Sequence, residues 1–369
     1  MRIASRPVEA VEALVRDVPV RRAASVVAGA SGAPSPAPTA APSVASAGPS
    51  VGAALIDAAF IAAPLIAAPP IVPPPLRPGA RVALVAPAGP VRDGELARAE
   101  ATVRALGWEP VVAAHALARE GYLAGDDARR AHDLQAALDD ATIDAVWALR
   151  GGYGTTRLLA ALDLTALVAR PKAIVGCSDL TALHAAVART APLVTFHGPV
   201  ARAELPSVAR DSLVAALARS GEPCGFAESA WTGHGGTARG RLAGGNLSLL
   251  AALCGTPWQP RFAGSLVVLE DVREPAYKVD RMLVQLEQAG TFDGCAGIVG
   301  GQFTDVPADA SADAPDPHVL VARLARRLGV PCLLGAPIGH IAEQWTVPLG
   351  LEGELDADAR TLRTARPSA

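Results

Sequence analysis

From Arg81 onward, short apolar runs alternate with stretches of helical spacing, and this alternation restricts the chain to a small set of α/β architectures. RVALV ends at the prolines and glycine of APAGP, ELARAEATVRALGW carries apolar residues at helical intervals, and PVVAA is the next apolar run. DDARRAHDLQAALDD then reads as an amphipathic helix, IDAVWALR as a buried strand, TTRLLAALDLTALVAR as a helical region and KAIVG as a strand. Strands that are apolar throughout are buried on both faces, so the pattern predicts a parallel sheet with helices on each side. With 369 residues, half of them apolar, the chain can build one large or two medium cores.

Around 206–236 the pattern loosens, helical at first and then rich in Gly, Pro and polar residues. Beyond it come GRLAGGNLSLLAALCG, the strand SLVVLEDV, the helix YKVDRMLVQLEQAG, the strand GIVGGQF, an acidic loop and the helix PHVLVARLARRLG. The expected organisation is an N-terminal domain over 77–205, a linker over 206–238 and a mixed α/β C-terminal domain over 239–369. Residues 1–76, rich in Ala, Pro and Ser, read as a disordered extension, because such a segment buries too little to offset its ordering entropy. Its apolar stretch VGAALIDAAFIAAPLIAAPP is interrupted by Asp57 and prolines before a membrane-spanning length accumulates. The N-terminus lacks the order of a secretory signal, so a cytoplasmic location is expected.

The formal charge is −3 and Lys and Arg are dispersed, which argues against nucleic-acid binding. Five cysteines, an odd number with no C-x-x-C pair, read as reduced thiols rather than disulfides or a zinc site. No metal or other cofactor is expected.

The sharpest local feature is KAIVG-Cys177-Ser178-Asp179-LTALHAAVA: a buried strand, a tight turn and then a helix. A serine there projects from the carboxyl end of the sheet, where open α/β sheets bind ligands, and helix N–H groups favour a developing oxyanion. The same serine could simply cap the helix. Gly151 and Gly152 follow IDAVWALR at another strand end, where backbone amides can approach a substrate closely, or where glycine merely permits a turn. His340 lies in the GAPIGH loop and Glu270 closes the apolar strand SLVVLE, so the chain order is Ser, Glu, His, as in α/β-hydrolases. Asp271 and Glu274 are rivals to Glu270. His197, in TFHGP, could line the site or pack. His184 reads as a helix-face residue, and Arg281 as a surface arginine that could hold a carboxylate. Thr181 occupies the lysine place of an S-x-x-K motif, which disfavours that chemistry.

From about residue 80 to 352 the chain resembles the LD-carboxypeptidase family of serine peptidases with its microcin C self-immunity relatives. The resemblance is carried by VALVAPAGP, GYLAGDDARRAHDLQAALDDATIDAVWALRGGYGTTRLL, VGCSDLTALH, TFHGPV, GGNLSLLAALCGTPW, VVLEDVREPAYKVDRMLVQLEQAG and GAPIGH. It implies an α/β fold with a Rossmann-like parallel-sheet N-terminal domain and a smaller mixed α/β C-terminal domain. It implies Ser178 as nucleophile, Glu270 as acidic member and His340 as general base. An oxyanion hole would come from the Asp179 N–H and a donor of Gly151 or Gly152. The implied substrate is a small peptide with an L-to-D amide bond, as in murein tetrapeptides, and the implied assembly is a homodimer. Two features depart from the family pattern: Ile341, Ala342, Glu343, Gln344 and Trp345 replace the usual polar continuation after the histidine, and the N-terminal extension is additional. A hydrolase of peptidyl or aminoacyl nucleotides is the competing activity, with Trp231 or Trp345 as a base platform. A two-domain small-molecule binding protein is the non-enzymatic alternative.

Overall fold

The computed structural model describes residues 69–218, 223–226, 230–308 and 313–365. The extension expected over 1–76 therefore lies outside the described residues up to position 68. Its last residues are packed rather than loose: Ile71 forms a bridge with Leu193, and Leu76 is buried with its N–H donating to the Leu217 carbonyl.

The first half runs β1 (Arg81–Val85), α1 (Glu95–Ala105), β2 (Glu109–Val112), α2 (Asp127–Asp139), β3 (Ala145–Ala148), β4 (Ala173–Gly176), α3 (Thr181–Thr190), β5 (Thr195–His197) and α4 (Ser207–Ala218). The second runs β6 (Pro223–Phe226), β7 (Trp231–His234), β8 (Thr237–Asn246), α5 (Leu247–Ala252), β9 (Ser265–Val272), α6 (Ala276–Gln288), β10 (Gly297–Thr304), α7 (Pro317–Leu328), β11 (Cys332–Leu334), β12 (Val347–Leu349), β13 (Glu352–Asp356) and β14 (Thr361–Ala365).

Two sheets result. The first has the order β12-β5-β4-β3-β1-β2 and is parallel except at β12, which pairs antiparallel with β5. Along its central strands successive residues enter opposite cores: Val82 and Leu84 lie with Trp147 and Phe196 under α1 and α4, while Ala83 and Val85 lie with Val146 and Ile174 under α2 and α3. The second sheet has the order β6-β14-β13-β8-β9-β10-β11-β7, with β8, β9, β10 and β11 parallel and the outer strands antiparallel. Helices α5, α6 and α7 cover one face through Leu250, Leu283 and Leu324. The other face is closed largely by the return segment carrying Ile338, Trp345 and Val347.

Local chemistry sets the element ends. Asp126 caps α2 by accepting from the Arg129 N–H, and Asn246 caps α5 by accepting from the Leu249 N–H. Asp316 precedes Pro317 at the start of α7, which stops at Gly329 in the left-handed region.

Two sequence expectations differ from the structure. The stretch 206–238, read as a linker that is helical at first, is built into both sheets: Leu213, Ala216 and Leu217 of the expected helix, α4, complete a core on the first sheet, and the two unexpected short strands β6 and β7 join the second. The helical region read over TTRLLAALDLTALVAR is broken into the 3₁₀ turns Thr155–Arg157 and Leu159–Ala161 and the short helix Ala166–Ala169. Asp163 accepts from both the Thr165 N–H and hydroxyl, and this local capping competes with a continuous helix.

Candidate active site

Strand β4 delivers Ser178 on a sharp turn. Cys177 is still extended, Ser178 has φ of +61°, and helical geometry begins at once. A left-handed non-glycine residue is uncommon, and at a strand-to-helix elbow it lifts the hydroxyl clear of the sheet. Gly176 makes the turn possible, because a Cβ there would lie 2.8 Å from Leu180 Cγ. Burial, reinforced by the charge of Glu270, pushes the neighbouring Cys177 thiol up to about 12. The adjacent sulfur therefore stays protonated, and the hydroxyl is the nucleophile candidate at this elbow.

The glycine loop after β3 lies directly against this serine. A Cβ on Gly151 would come 2.9 Å from Ser178 Cβ and 3.1 Å from its Oγ, with the Asp179 nitrogen at 3.6 Å. Gly152, with φ of +119°, packs on Gly89, whose N–H donates to the Gly151 carbonyl. The fully buried Asp179 ties loop to elbow by accepting from the Thr155 N–H at 2.8 Å. Burial raises its pKa against the hydrogen bonds from Thr155 and Gly154. Arg130, one of two adjacent arginines in α2, is buried beneath Gly154, where it bonds the Pro87 and Gly125 carbonyls and pairs with Asp127. Its role was not readable from sequence, since an arginine in an amphipathic helix ordinarily faces solvent.

On the second sheet Glu270 is fully buried near the end of β9, and its Oε2 lies 2.8 Å from Nδ1 of His340, whose side chain is 24% exposed. Two glycines allow this approach. A Cβ on Gly339 would meet Glu270 Oε2 at 2.6 Å, and one on Gly301 would meet the Ile338 carbonyl at 2.6 Å. Burial opposes charge on His340, but the hydrogen bond and charge of Glu270, with Asp271 adding, leave its pKa raised. Ser178 Oγ makes no hydrogen bond with His340, whose Nδ1 is engaged by Glu270.

The rival carboxylates are otherwise engaged. Asp271 accepts from Asn246 Nδ2, the Ser248 N–H and hydroxyl, and the Val272 N–H, so it organises the β8–α5 junction. Glu274 pairs with Lys278 one helical turn on. Arg281 lies over the Tyr277 ring. His184 is buried rather than on an exposed helix face, its Nε2 2.9 Å from the Gly176 carbonyl, and burial lowers its pKa to about 4. His197 is fully buried, with Nε2 3.9 Å from Glu270 Oε1. Neither tryptophan offers an open platform: Trp345 is buried, and Trp231 is wedged against Gly335 and edge-on to His318. Among the described residues no cluster of three or more His, Cys, Asp or Glu could hold a metal, and no helix is long and apolar enough to cross a membrane.

Comparison with known proteins places the chain in a family. Residues 82–198 match the LD-carboxypeptidase N-terminal domain and residues 239–355 the LD-carboxypeptidase C-terminal domain. A protein of Streptomyces coelicolor named as a carboxypeptidase is 42% identical over 312 residues, covering 79% of this chain and 95% of that one. The murein tetrapeptide carboxypeptidase of Pseudomonas aeruginosa is 35% identical over 293 residues, covering 75% and 94%. The crystal structure of muramoyltetrapeptide carboxypeptidase from Oxalobacter formigenes aligns with a TM-score of 0.71 at 30% identity, covering 78% of this chain and all of that one. With both domain models matched in order and relatives aligned over nearly their whole length, the chain belongs to the LD-carboxypeptidase family and is a peptidase.

Proposed function

We propose that this chain is a serine carboxypeptidase that releases a terminal D-amino acid from murein-derived tetrapeptides through an acyl-enzyme on Ser178. The observation that carries the reading is the buried Glu270 carboxylate of the second sheet held 2.8 Å from His340 Nδ1, while His197, paired with Gly176 just before the strained Ser178 elbow of the first sheet, lies 3.9 Å from the same carboxylate. With Nδ1–H committed to Glu270, Nε2 is the basic nitrogen. In the proposed scheme His340 takes the Ser178 proton as Oγ attacks the carbonyl, and the oxyanion forms against the N–H of Asp179 and a donor of Gly151 or Gly152. Glu270 steadies the imidazolium, which then protonates the departing amine. Water repeats the sequence on the ester. One oxyanion donor is worth about 10²–10³ in rate, so a rigid Gly151 loop is a large share of the catalysis.

In this scheme residues 77–205 supply the nucleophile and 239–369 the acid–base pair. A cytoplasmic homodimer is supported by family resemblance, and light scattering would check the assembly. The nucleotide-directed activity is disfavoured by the packing of Trp231 and Trp345. The deciding experiment assays a murein tetrapeptide and an aminoacyl-nucleotide analogue in parallel with wild type and Ser178→Ala. Release of the D-amino acid by wild type, reduced at least about 10³-fold in the variant, is expected. Full activity in Ser178→Ala, or hydrolysis of the nucleotide analogue alone, overturns the reading.

A further inference from the structure

We propose that His197 is a positioning residue for the catalytic pair, donating its Nε2–H to Oε1 of Glu270; this rests on the Ser178, His340 and Glu270 reading above. Glu270 is fully buried and carries two acceptor oxygens. Oε2 is taken by His340, while Oε1 has no hydrogen-bond partner. A buried acceptor without a donor is costly, and a charged one more so. The polar atom facing it is His197 Nε2 at 3.9 Å, on a ring that is itself completely buried and has no partner on either nitrogen. Two orphaned groups of complementary polarity thus face each other across a gap about 1 Å longer than a direct hydrogen bond. Catalytic hydrogen bonds commonly start long and tighten in the reacting complex.

The surroundings select the donor tautomer. Nδ1 faces the Gly245 backbone, where a Cβ would come within 3.3 Å, and a proton there meets no acceptor. A proton on Nε2 meets the carboxylate. Burial, with the charge of His340 adding, drives the His197 pKa down to about 3, so near neutral pH the ring is a neutral donor and the contact is not an ion pair. Its place is fixed by the sheet, since His197 pairs with Gly176 of β4 on one side and Val347 of β12 on the other.

The groups bearing on this chain of contacts come from each packed element. Glu270 and Asp271 lie on β9, Arg273 just beyond it, Cys177 at the elbow, His340 on its loop, and the His184 ring on α3 at 6.4 Å from that of His197. An N–H on Oε1 fixes the carboxylate plane so that Oε2 addresses His340, and it moderates the pull of the carboxylate on the imidazolium. Without it Glu270 becomes more basic and His340 holds its proton to higher pH; both effects move the acid limb of kcat/KM upward.

The test compares His197→Leu and His197→Gln with wild type on a murein tetrapeptide across pH. His197→Leu should lower kcat by roughly tenfold or more with KM little changed, and should move the acid limb to higher pH. His197→Gln, which keeps an N–H donor, should recover most of kcat and return the limb. A purely packing role gives the reverse ranking and an unmoved limb, which overturns the proposal. ¹⁵N spectra of histidine-labelled wild type should show His197 neutral with its proton on Nε2 between about pH 5 and 8; a proton on Nδ1 overturns the assignment even if the variants fail to fold. Activity retained in Ser178→Ala overturns the triad reading and this proposal with it. An unaltered His197→Leu beside an inactive Ser178→Ala overturns His197 alone.

Discussion

His340 is pulled two ways, and the balance has a kinetic signature. Burial favours its neutral form, while the Glu270 hydrogen bond and charge favour the imidazolium and win. In the proposed scheme His340 is the general base and must be neutral, so kcat/KM should rise with pH through a limb above the ordinary histidine value of 6.5. Glu270→Gln removes the charge and the acceptor geometry: the limb should shift down and kcat fall by about 10⁴-fold, as read from pH–rate profiles of both proteins. Gly151 offers a steric counterpart. Gly151→Ala places a methyl 2.9 Å from Ser178 Cβ and 3.1 Å from its Oγ, so the elbow must shift, and kcat should drop at least about tenfold with a lowered thermal unfolding midpoint. In the sequence each of these residues alone also fitted a plain turn or a solvated strand end, and it was the ordered motifs of the family resemblance that singled them out. His197 was visible only as a strand-end histidine, since neither its burial nor its approach to Glu270 leaves a local trace.

At the scale of elements, the legible parts were those whose own residues carry the periodicity. The strands RVALV, AVWA and AIVG are buried on both faces and announce themselves as apolar runs, and α6 and α7 announce themselves by their spacing. The strands β6 and β7 were missed because short edge strands take their pairing from neighbours. The three residues of β12 were legible only through the T-x-P-L-G pattern of the family resemblance, since they too are a short edge strand. Helix ends follow simpler rules, and Gly329 shows how far they hold. It sits at φ of +69° with open space around the missing Cβ, so Gly329→Ala carries only the left-handed backbone cost. Urea unfolding should show a loss of about 1 kcal/mol, with kcat unchanged.

For the whole molecule, the sequence reading expected two α/β domains joined by a linker over 206–238. Among the described residues of that stretch, α4 lies on the first sheet and β6 and β7 lie in the second, and β12 returns from the second half to pair with β5. That return follows His340 by only a few residues, so the segment bearing the proposed base is stitched into the sheet that carries Ser178. A gene cut near residue 238 would therefore yield an N-terminal fragment with a naked β5 edge, prone to stick to any extended chain. The missing half would be its natural clasp, and activity would reappear only where the two fragments meet, which makes the fold a ready-made split reporter whose signal is hydrolysis.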